Sequence, residues 1–258
     1  ASMLAARGLD LGVMVRPLLR ESPSGTWAGD HAEESREQHR VFFERYRAYL
    51  VHTALLAELG RAELLCAGTE LGRATRTDPD DDPWIPDYTD ENDERWRGLV
   101  AAARGAFDGA LTYAADGRGE SDRLGFLDAL DQPAIDLYPQ LVPGDEQQVA
   151  ASPEPSAAEI DQRLRGALLR AADLGRRAGA PCLVTEIGFP ASSLAWQAPD
   201  ETRGAPDVAM QARLLEALVD AYLGLRPPIP GLGGIYLYGW STDRGAGDRR
   251  AQPQVGVD

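Results

Sequence analysis

Predicted strands and helices alternate along the whole chain, and this order constrains the fold more than any other feature. Apolar segments typical of buried strands occupy residues 11–19, 62–69, 109–114, 134–138 and 234–239, with a sixth inside 181–189. Helical periodicity covers residues 33–59, 92–106, 156–178 and 207–223, with a shorter helix at 124–130. Strands that are separated by helices pair in parallel through right-handed crossovers. The sequence therefore predicts an α/β fold with a parallel sheet.

Length and loop placement favour one barrel domain. The chain has 258 residues, 43 % of them hydrophobic, and a TIM-type (β/α)8 barrel takes about 250 residues. No linker or shift in composition divides the chain, so we expect a single domain over residues 1–258, with six βα units visible. The long loops follow strands, as on the functional face of such a barrel.

Two helix ends carry recognisable signals. Gly60 follows the first long helical pattern and suits the position just past a helix C-terminus. Ser156, with Glu159 three residues later, matches a capping box that opens the helix over residues 156–178.

Two of the predicted strands end in the same way, with Thr followed by Glu. Glu70 ends AELLCAGTE, and Glu186 lies in PCLVTEIGF. A carboxylate beside a buried strand is costly unless it is paired or used. Two such carboxylates on one sheet are what glycoside hydrolysis needs. A structural role beside an arginine is favoured for either glutamate alone, whereas the matching Thr-Glu contexts together favour catalysis.

Charge excludes several classes of function. The net charge is −15, and all 26 basic residues are arginine. A chain without lysine has no Schiff-base or P-loop lysine. Acidity disfavours nucleic acid and anionic membrane surfaces as partners, and it suits a neutral polysaccharide. The sequence contains neither a Gly-x-Ser-x-Gly elbow nor a Gly-rich phosphate loop after a strand.

The two cysteines predict packing rather than chemistry. Cys66 and Cys182 each precede one of the two glutamates by four residues. On an alternating strand, Cys66, Gly68 and Glu70 share one face, and Cys182 and Glu186 share another. Two cysteines provide neither a disulfide framework nor metal-ligand spacing, so we expect two small buried hydrophobes.

Other polar residues give weaker signals. A run of aspartates lacks the full Ca²⁺-loop spacing and predicts a solvated loop; it comprises Asp78, Asp80, Asp81 and Asp82. The histidines share no spacing, and a packing or surface role is expected for them; they are His31, His39 and His52. No metal or organic cofactor is expected. No 18-residue apolar run and no signal pattern occur, so we expect a soluble chain without a predicted compartment.

Five segments, in this order, resemble glycoside hydrolase family 113. They are CAGTEL around Glu70, LTYAAD at 111–116, AIDLYPQL at 134–141, VTEIGF around Glu186, and YLYGWSTD at 236–243. The resemblance covers about residues 8–243 and implies a (β/α)8 barrel with two catalytic glutamates. It also implies a retaining glycosidase similar to endo-β-1,4-mannanases, which needs no cofactor.

The resemblance implies roles by position. Glu70 corresponds to the general acid/base, and Glu186 to the nucleophile, with carboxyl groups about 5–5.5 Å apart. Tyr138 corresponds to a residue that hydrogen-bonds the nucleophile. Trp240 corresponds to the floor of the subsite for the reacting sugar. The remaining implied substrate-binding residues are Arg16, Trp27 and Tyr113. Trp196 is a further candidate because it is an aromatic residue on a loop, and aromatic rings suit the C–H faces of neutral sugars.

The chain also departs from that family. Its first predicted strand resembles the family's third, so strands one and two and the final helix have no counterpart. Leu18 occupies a position where the family often has histidine. An open sheet exposes unpaired edges, which proteins normally cover. Three alternatives remain: a fragment of a longer product, a homodimer that covers the edge, or a smaller distorted barrel.

Two functions of different classes follow. The first is a retaining glycoside hydrolase that cleaves a neutral β-linked oligo- or polysaccharide, with β-mannan as the leading substrate. The second is a non-catalytic carbohydrate-binding or assembly module that keeps the cleft. Which sugar is bound cannot be derived from the sequence, because the loops that recognise one hydroxyl have no predictable shape.

Overall fold

The computed structural model describes residues 2–19, 29, 35–77, 89–144, 148–149, 152–225 and 229–238. Helices and strands alternate among them as predicted. The helices are α1 (Ser2–Gly8), α2 (Arg36–Leu59), α3 (Gly72–Thr75), α4 (Thr89–Arg104), α5 (Ala157–Ala178) and α6 (Val208–Gly224), with 3₁₀ helices at Glu120–Asp122 and Leu127–Ala129. The strands are β1 (Met14–Val15), β2 (Leu64–Thr69), β3 (Ala110–Asp116), β4 (Ala134–Asp136), β5 (Cys182–Ile187) and β6 (Leu232–Leu237).

The strands follow chain order in the sheet, from β1 to β6. The pairs β1–β2, β2–β3 and β5–β6 are parallel. Successive parallel strands connected through helices are the pattern of the (β/α)8 barrel. With six strands in the described part of the chain, the predicted fold class, an incomplete barrel of this type, is confirmed.

Strand β1 is much shorter than the predicted segment 11–19. The Val13 amide donates to the Glu63 carboxylate at 2.7 Å instead of to a strand carbonyl. Pro17 has no amide hydrogen to donate. Regular pairing is therefore confined to Met14 and Val15.

The chain divides into two compact units, Ala1–Ile135 with Arg177–Pro181, and Asp136–Arg176 with Cys182–Asp258. The expected single domain over residues 1–258 stays a prediction, and the homodimer stays one of the three alternatives.

In the first unit, α2 and α4 supply the core that packs with β2 and β3. Five buried aromatic side chains form what we call the aromatic cluster: Phe43, Tyr46, Trp96, Tyr113 and Phe126. Trp96 stacks on Phe126 with ring centroids 5.0 Å apart, and it meets Tyr113 edge-on at 5.1 Å. These offset and edge-to-face geometries favour aromatic packing beyond the burial of area alone.

Helix α2 ends where the sequence predicts, but Gly60 is not the left-handed residue. Gly60 has φ −77°, and the positive φ of 52° falls on Arg61. A Cβ at Gly60 would lie 2.5 Å from Met3 Sδ. The backbone of Gly60 suits any residue, whereas the close approach of the Met3 side chain from α1 leaves little space for a Cβ there.

In the second unit, the predicted capping box opens α5. The Ser156 hydroxyl donates to Glu159 at 2.6 Å, and the Ser156 amide donates to the same carboxylate at 2.8 Å. The buried residues of α5 recur at helical spacing, including Ile160, Leu164 and Leu168. At the start of α6, Asp207 accepts from the Met210 amide at 2.9 Å. No helix among the described residues is long and apolar enough to cross a membrane.

Packing explains the need for glycine in β2. A Cβ at Gly68 would lie 2.8 Å from Tyr113, 2.9 Å from Trp96 and 3.0 Å from the Tyr46 hydroxyl. All three belong to the aromatic cluster, which has no space for a methyl group.

We therefore expect Gly68→Ala to lower the free energy of unfolding by about 1–3 kcal/mol, because of overpacking. The matched control is Gly98→Ala at an exposed position of α4, where a Cβ meets nothing within 4 Å. This control should raise stability by about 0.5–1 kcal/mol, since alanine favours a helix interior. Urea unfolding measures both, and equal effects would contradict the packing explanation.

Both cysteines are buried as predicted. Burial raises the pKa of the Cys182 thiol to about 12, so the reactive thiolate is scarce at neutral pH. We expect iodoacetamide at pH 8 to label neither cysteine in the native chain and both in guanidinium. Mass spectrometry measures the labelling, and rapid native labelling of either thiol would contradict the described burial.

Candidate active site

A register shift in β2 sets the position of Glu70. Cys66 pairs with Thr112, and Thr69 pairs with Ala114. Three residues of β2 therefore span two residues of β3, which is the signature of a β-bulge. The expected alternation fails here: a Cβ at Gly68 would meet the aromatic cluster that adjacent Ala67 also joins. The bulge therefore changes the direction in which the side chains point just before Glu70.

The backbone of Glu70 is left-handed, with φ 49°. Its amide donates to the Ala114 carbonyl at 2.8 Å, and its residue surface is only 6 % exposed. A non-glycine residue in this region costs about 1 kcal/mol or more and persists only where the surroundings enforce it. Such strain occurs most often at functional sites.

Glu70 lines a cavity of about 320 Å³ in the first unit. Asp116 and Glu120 are the other acidic residues of its wall. Its basic residues are Arg73, Arg76, Arg118 and Arg123. Arg118 Nε lies 3.7 Å from Asp116 Oδ1. Burial raises the pKa of the Glu120 carboxyl, against the opposing effect of three hydrogen-bond donors. The cavity thus combines a strained glutamate with charged groups of both signs.

Arg16 lies next to the Glu70 turn. Its Nε donates to Thr69 Oγ1 at 2.9 Å. Thr69 immediately precedes Glu70. The side chain of Arg16 therefore reaches the segment that carries Glu70, as the family resemblance implies. Its contact with a sugar stays a prediction.

Glu186, in the second unit, also lies in a register shift. Val184 pairs with Ile235, and Ile187 pairs with Leu237. Three residues of β5 therefore span two of β6, which repeats the pattern of β2. The residue surface of Glu186 is 8 % exposed.

Tyr138 orients the Glu186 carboxylate. The Tyr138 hydroxyl donates to Glu186 Oε2, and the adjacent Leu137 amide donates to the Glu186 carbonyl at 2.8 Å. Burial, and then the negative charge of Glu186, raises the pKa of Tyr138 above its ordinary value. The hydroxyl therefore stays protonated and remains a donor. The contact implied by the resemblance is present.

Asp136 is a buried acid that sequence reasoning did not select. It accepts from Thr185 Oγ1 at 2.6 Å, directly beside Glu186 in the chain. The signal was available, since Asp136 is the only charged residue in the predicted strand AIDLY. Sequence reasoning did not select Glu120 either. Its neighbours, in the segment GRGES at 117–121, are small or polar and give no sign that this carboxylate is buried.

Tyr113 and Trp196 lie deeper than a sugar-binding surface requires. Tyr113 is fully buried in the aromatic cluster, and its hydroxyl contacts Glu120. Trp196 is also buried, and its indole donates to the Ser193 carbonyl at 3.1 Å. Both rings are therefore shielded from solvent, and their contact with a sugar stays a prediction.

Other predicted residues lie outside the described residues. They are Trp27, Trp240, His31 and the aspartates at 78, 80, 81 and 82. His39 is buried and hydrogen-bonded to Asn92 at 2.8 Å, which fits the expected packing role. Among the described residues, no group of three His, Cys, Asp or Glu side chains could hold a metal ion.

The strain at Glu70 has a measurable consequence. Glycine tolerates a left-handed backbone whereas alanine does not. We therefore expect Glu70→Gly to be more stable than Glu70→Ala by about 1 kcal/mol. Arg61 also has a left-handed backbone, with φ 52°. Arg61→Gly should therefore be more stable than Arg61→Ala by a similar amount, which provides a control pair away from the site. Urea unfolding measures all four variants, and equal stability of the Glu70 pair would contradict the strain.

Structural comparison finds β-mannanases. The family 113 β-mannanase from Alicyclobacillus acidocaldarius aligns with TM-score 0.70 and 23 % identity, over 93 % of this chain and 66 % of that one. A second family 113 β-1,4-mannanase gives TM-score 0.67 and 22 % identity, over 91 % and 65 %. A fungal β-1,4-galactanase gives TM-score 0.51 and 14 % identity, over 93 % and 71 %.

The chain thus spans just under two thirds of the length of these mannanases. Comparison with the curated proteins gives no match. The sequence profile of one family, however, matches residues 2–253, almost the whole chain. On that match, the chain belongs to glycoside hydrolase family 113.

Proposed function

We propose that this chain is a retaining glycoside hydrolase that cleaves β-1,4-linked mannan by double displacement. Family membership supports hydrolysis of a glycosidic bond. The finer assignment to mannan is supported by the names of the similar structures, which are β-mannanases. The net charge of −15 also suits a neutral polysaccharide better than an acidic one.

Glu70 is the proposed general acid/base. In the first step its carboxyl group gives a proton to the leaving sugar oxygen, and in the second it takes a proton from water. This cycle needs a carboxyl group that is fixed in place yet open to substrate. The left-handed backbone and the cavity beside Glu70 support that role.

Glu186 is the proposed nucleophile. Its carboxylate attacks the anomeric carbon, the bond to the leaving oxygen breaks, and a glycosyl-enzyme forms. Attack needs one carboxylate oxygen held in a fixed direction. The hydrogen bond from Tyr138 to Glu186 Oε2 supplies that constraint.

One observation carries the proposal: each Thr-Glu glutamate lies in or just after a β-bulge at the C-terminal end of its strand. Bulges occur preferentially next to active sites, where they re-aim side chains. Both candidate carboxylates thus lie at register shifts of this kind.

We expect the chain to release reducing sugar from β-mannan in a panel that also contains β-glucan and xylan. Glu186→Ala should abolish release, and Glu70→Ala should lower it by about 10²–10⁴-fold, the usual contribution of acid–base catalysis. Glu154→Ala, which removes an exposed partner of Arg213, is the matched control and should leave the rate unchanged.

A second experiment tests the retaining mechanism and the identity of the nucleophile, independently of the substrate panel. A 2-deoxy-2-fluoro-β-mannosyl fluoride should label Glu186, identified by peptide mass spectrometry, because the fluorine slows breakdown of the glycosyl-enzyme. Proton NMR of the first product should show a retained β-anomer. Labelling of another carboxylate, or an inverted product, would overturn the assignment of Glu186.

The alternative function that the sequence leaves open is the second candidate. This candidate is a carbohydrate-binding module that keeps the cleft without turnover. Calorimetry with mannohexaose separates the two functions. Binding by the unmutated chain, with no sugar released from any member of the panel, would favour the module.

A further inference from the structure

The backbone on both sides of the Glu70 carboxylate is fixed by hydrogen bonds. The Glu70 amide donates to the Ala114 carbonyl at 2.8 Å. The next amide, of Leu71, donates to the Tyr113 hydroxyl at 2.7 Å, and this contact is buried. A side-chain oxygen thus takes the place of a strand carbonyl at the point where the left-handed turn ends the strand.

The Tyr113 hydroxyl is itself held by Glu120. It donates to Glu120 Oε1 at 2.6 Å. The same carboxylate oxygen accepts from Thr75 Oγ1 at 2.6 Å, and the other oxygen accepts from the Asp116 amide at 2.7 Å. Three donors therefore fix the carboxylate, and the carboxylate fixes the direction of the tyrosine hydroxyl.

The Tyr113 ring cannot move independently. It lies edge-on to Trp96 at 5.1 Å and to Phe126 at 5.4 Å. Burial raises the pKa of Tyr113 well above its ordinary value, so the hydroxyl keeps its proton under all ordinary assay conditions. It can donate to Glu120 and accept from Leu71 at the same time.

The chain of contacts ends at the cavity. Glu70 and Glu120 both line it, so a change at Glu120 reaches Glu70 through Tyr113 and the Leu71 amide. A short, buried relay of this kind transmits position without any need for Glu120 to touch substrate.

We infer that Tyr113 and Glu120 are positioning residues that hold Glu70 in its left-handed conformation, so that its carboxyl group meets the leaving sugar oxygen. This inference rests on the proposed role of Glu70 as general acid. It assigns Tyr113 a function that its burial allows, in place of direct contact with the sugar. Glu120 receives a role in the site although it contributes neither the acid nor the nucleophile.

The dependence of kcat/KM on the leaving group distinguishes a residue that positions the general acid from one that only stabilises the fold. Departure of a sugar needs protonation by the general acid, whereas departure of dinitrophenolate does not. The ratio kcat/KM reports only steps up to departure of the leaving group, so the later base-catalysed step does not enter it. The two probes are mannohexaose and 2,4-dinitrophenyl β-mannobioside.

Tyr113→Phe removes only the hydroxyl. We expect it to lower kcat/KM on mannohexaose by about 10-fold or more, part of the contribution of acid catalysis, and to change the value on the dinitrophenyl substrate by less than about 3-fold. Glu120→Ala, which removes the acceptor, should show the same selectivity.

The matched control is Tyr46→Phe. It also removes a buried hydroxyl of the aromatic cluster, one that donates to the Ala67 carbonyl at 2.8 Å. It should show no such selectivity.

Amide hydrogen exchange provides a readout without turnover. In Tyr113→Phe the Leu71 amide should exchange at least about 10-fold faster, because its acceptor is gone, while the Glu70 amide keeps its partner at Ala114. Two-dimensional NMR of the labelled chain resolves both amides.

Each outcome decides the inference. Selective loss on mannohexaose together with faster exchange at Leu71 supports it. Equal losses on both substrates, no loss on either, or unchanged exchange at Leu71 would overturn it and leave the glycosidase proposal intact. If the unmutated chain cleaves neither substrate, the glycosidase proposal fails, and the inference about acid catalysis fails with it.

Discussion

The β-bulge in each glutamate strand is the constraint on which the candidate site depends. In β2 the extra residue lies between Cys66 and Thr69, and in β5 it lies between Val184 and Ile187. Regular pleating would place every second side chain on one face, and one inserted residue interrupts that alternation. The direction of each glutamate is therefore decided by backbone pairing with the next strand rather than by its own sequence alone.

The bulge in β2 is stabilised by packing that does not contact any sugar. Gly68 fits against the aromatic cluster because it has no side chain. Trp96, a member of that cluster, also donates from its indole to the Ala74 carbonyl at 2.7 Å, and Asn92 donates to the Arg76 carbonyl at 2.9 Å. The core of the first unit thus holds both the strand before Glu70 and the segment after it. Interiors packed at this density resist displacement, which suits a residue with a strained backbone.

Local patterns predicted the elements well because each pattern arises within a few residues. The helical period, the capping box at Ser156 and the apolar runs before Glu70 and Glu186 all belong to this class. The structure departs where contacts join distant residues. The left-handed residue after α2 is Arg61 rather than Gly60, and Met3, far away in the chain, packs close to Gly60. The Leu71–Tyr113 hydrogen bond spans 42 residues, and no local period encodes it. The burial of Tyr113 and Trp196 is likewise a property of tertiary packing, which neither family similarity at Tyr113 nor the loop position of Trp196 reveals.

The two glutamates are constrained in different ways, and the difference follows their proposed chemistry. At Glu70 the constraint falls on the backbone, through the left-handed φ and the two flanking amide hydrogen bonds. A group that must release and regain a proton benefits from a backbone that keeps its position the same in both steps. At Glu186 the constraint falls on the carboxylate itself, through the Tyr138 hydroxyl. A nucleophile keeps one protonation state before attack and needs one oxygen aimed at carbon. A direct donor to its second oxygen meets that need.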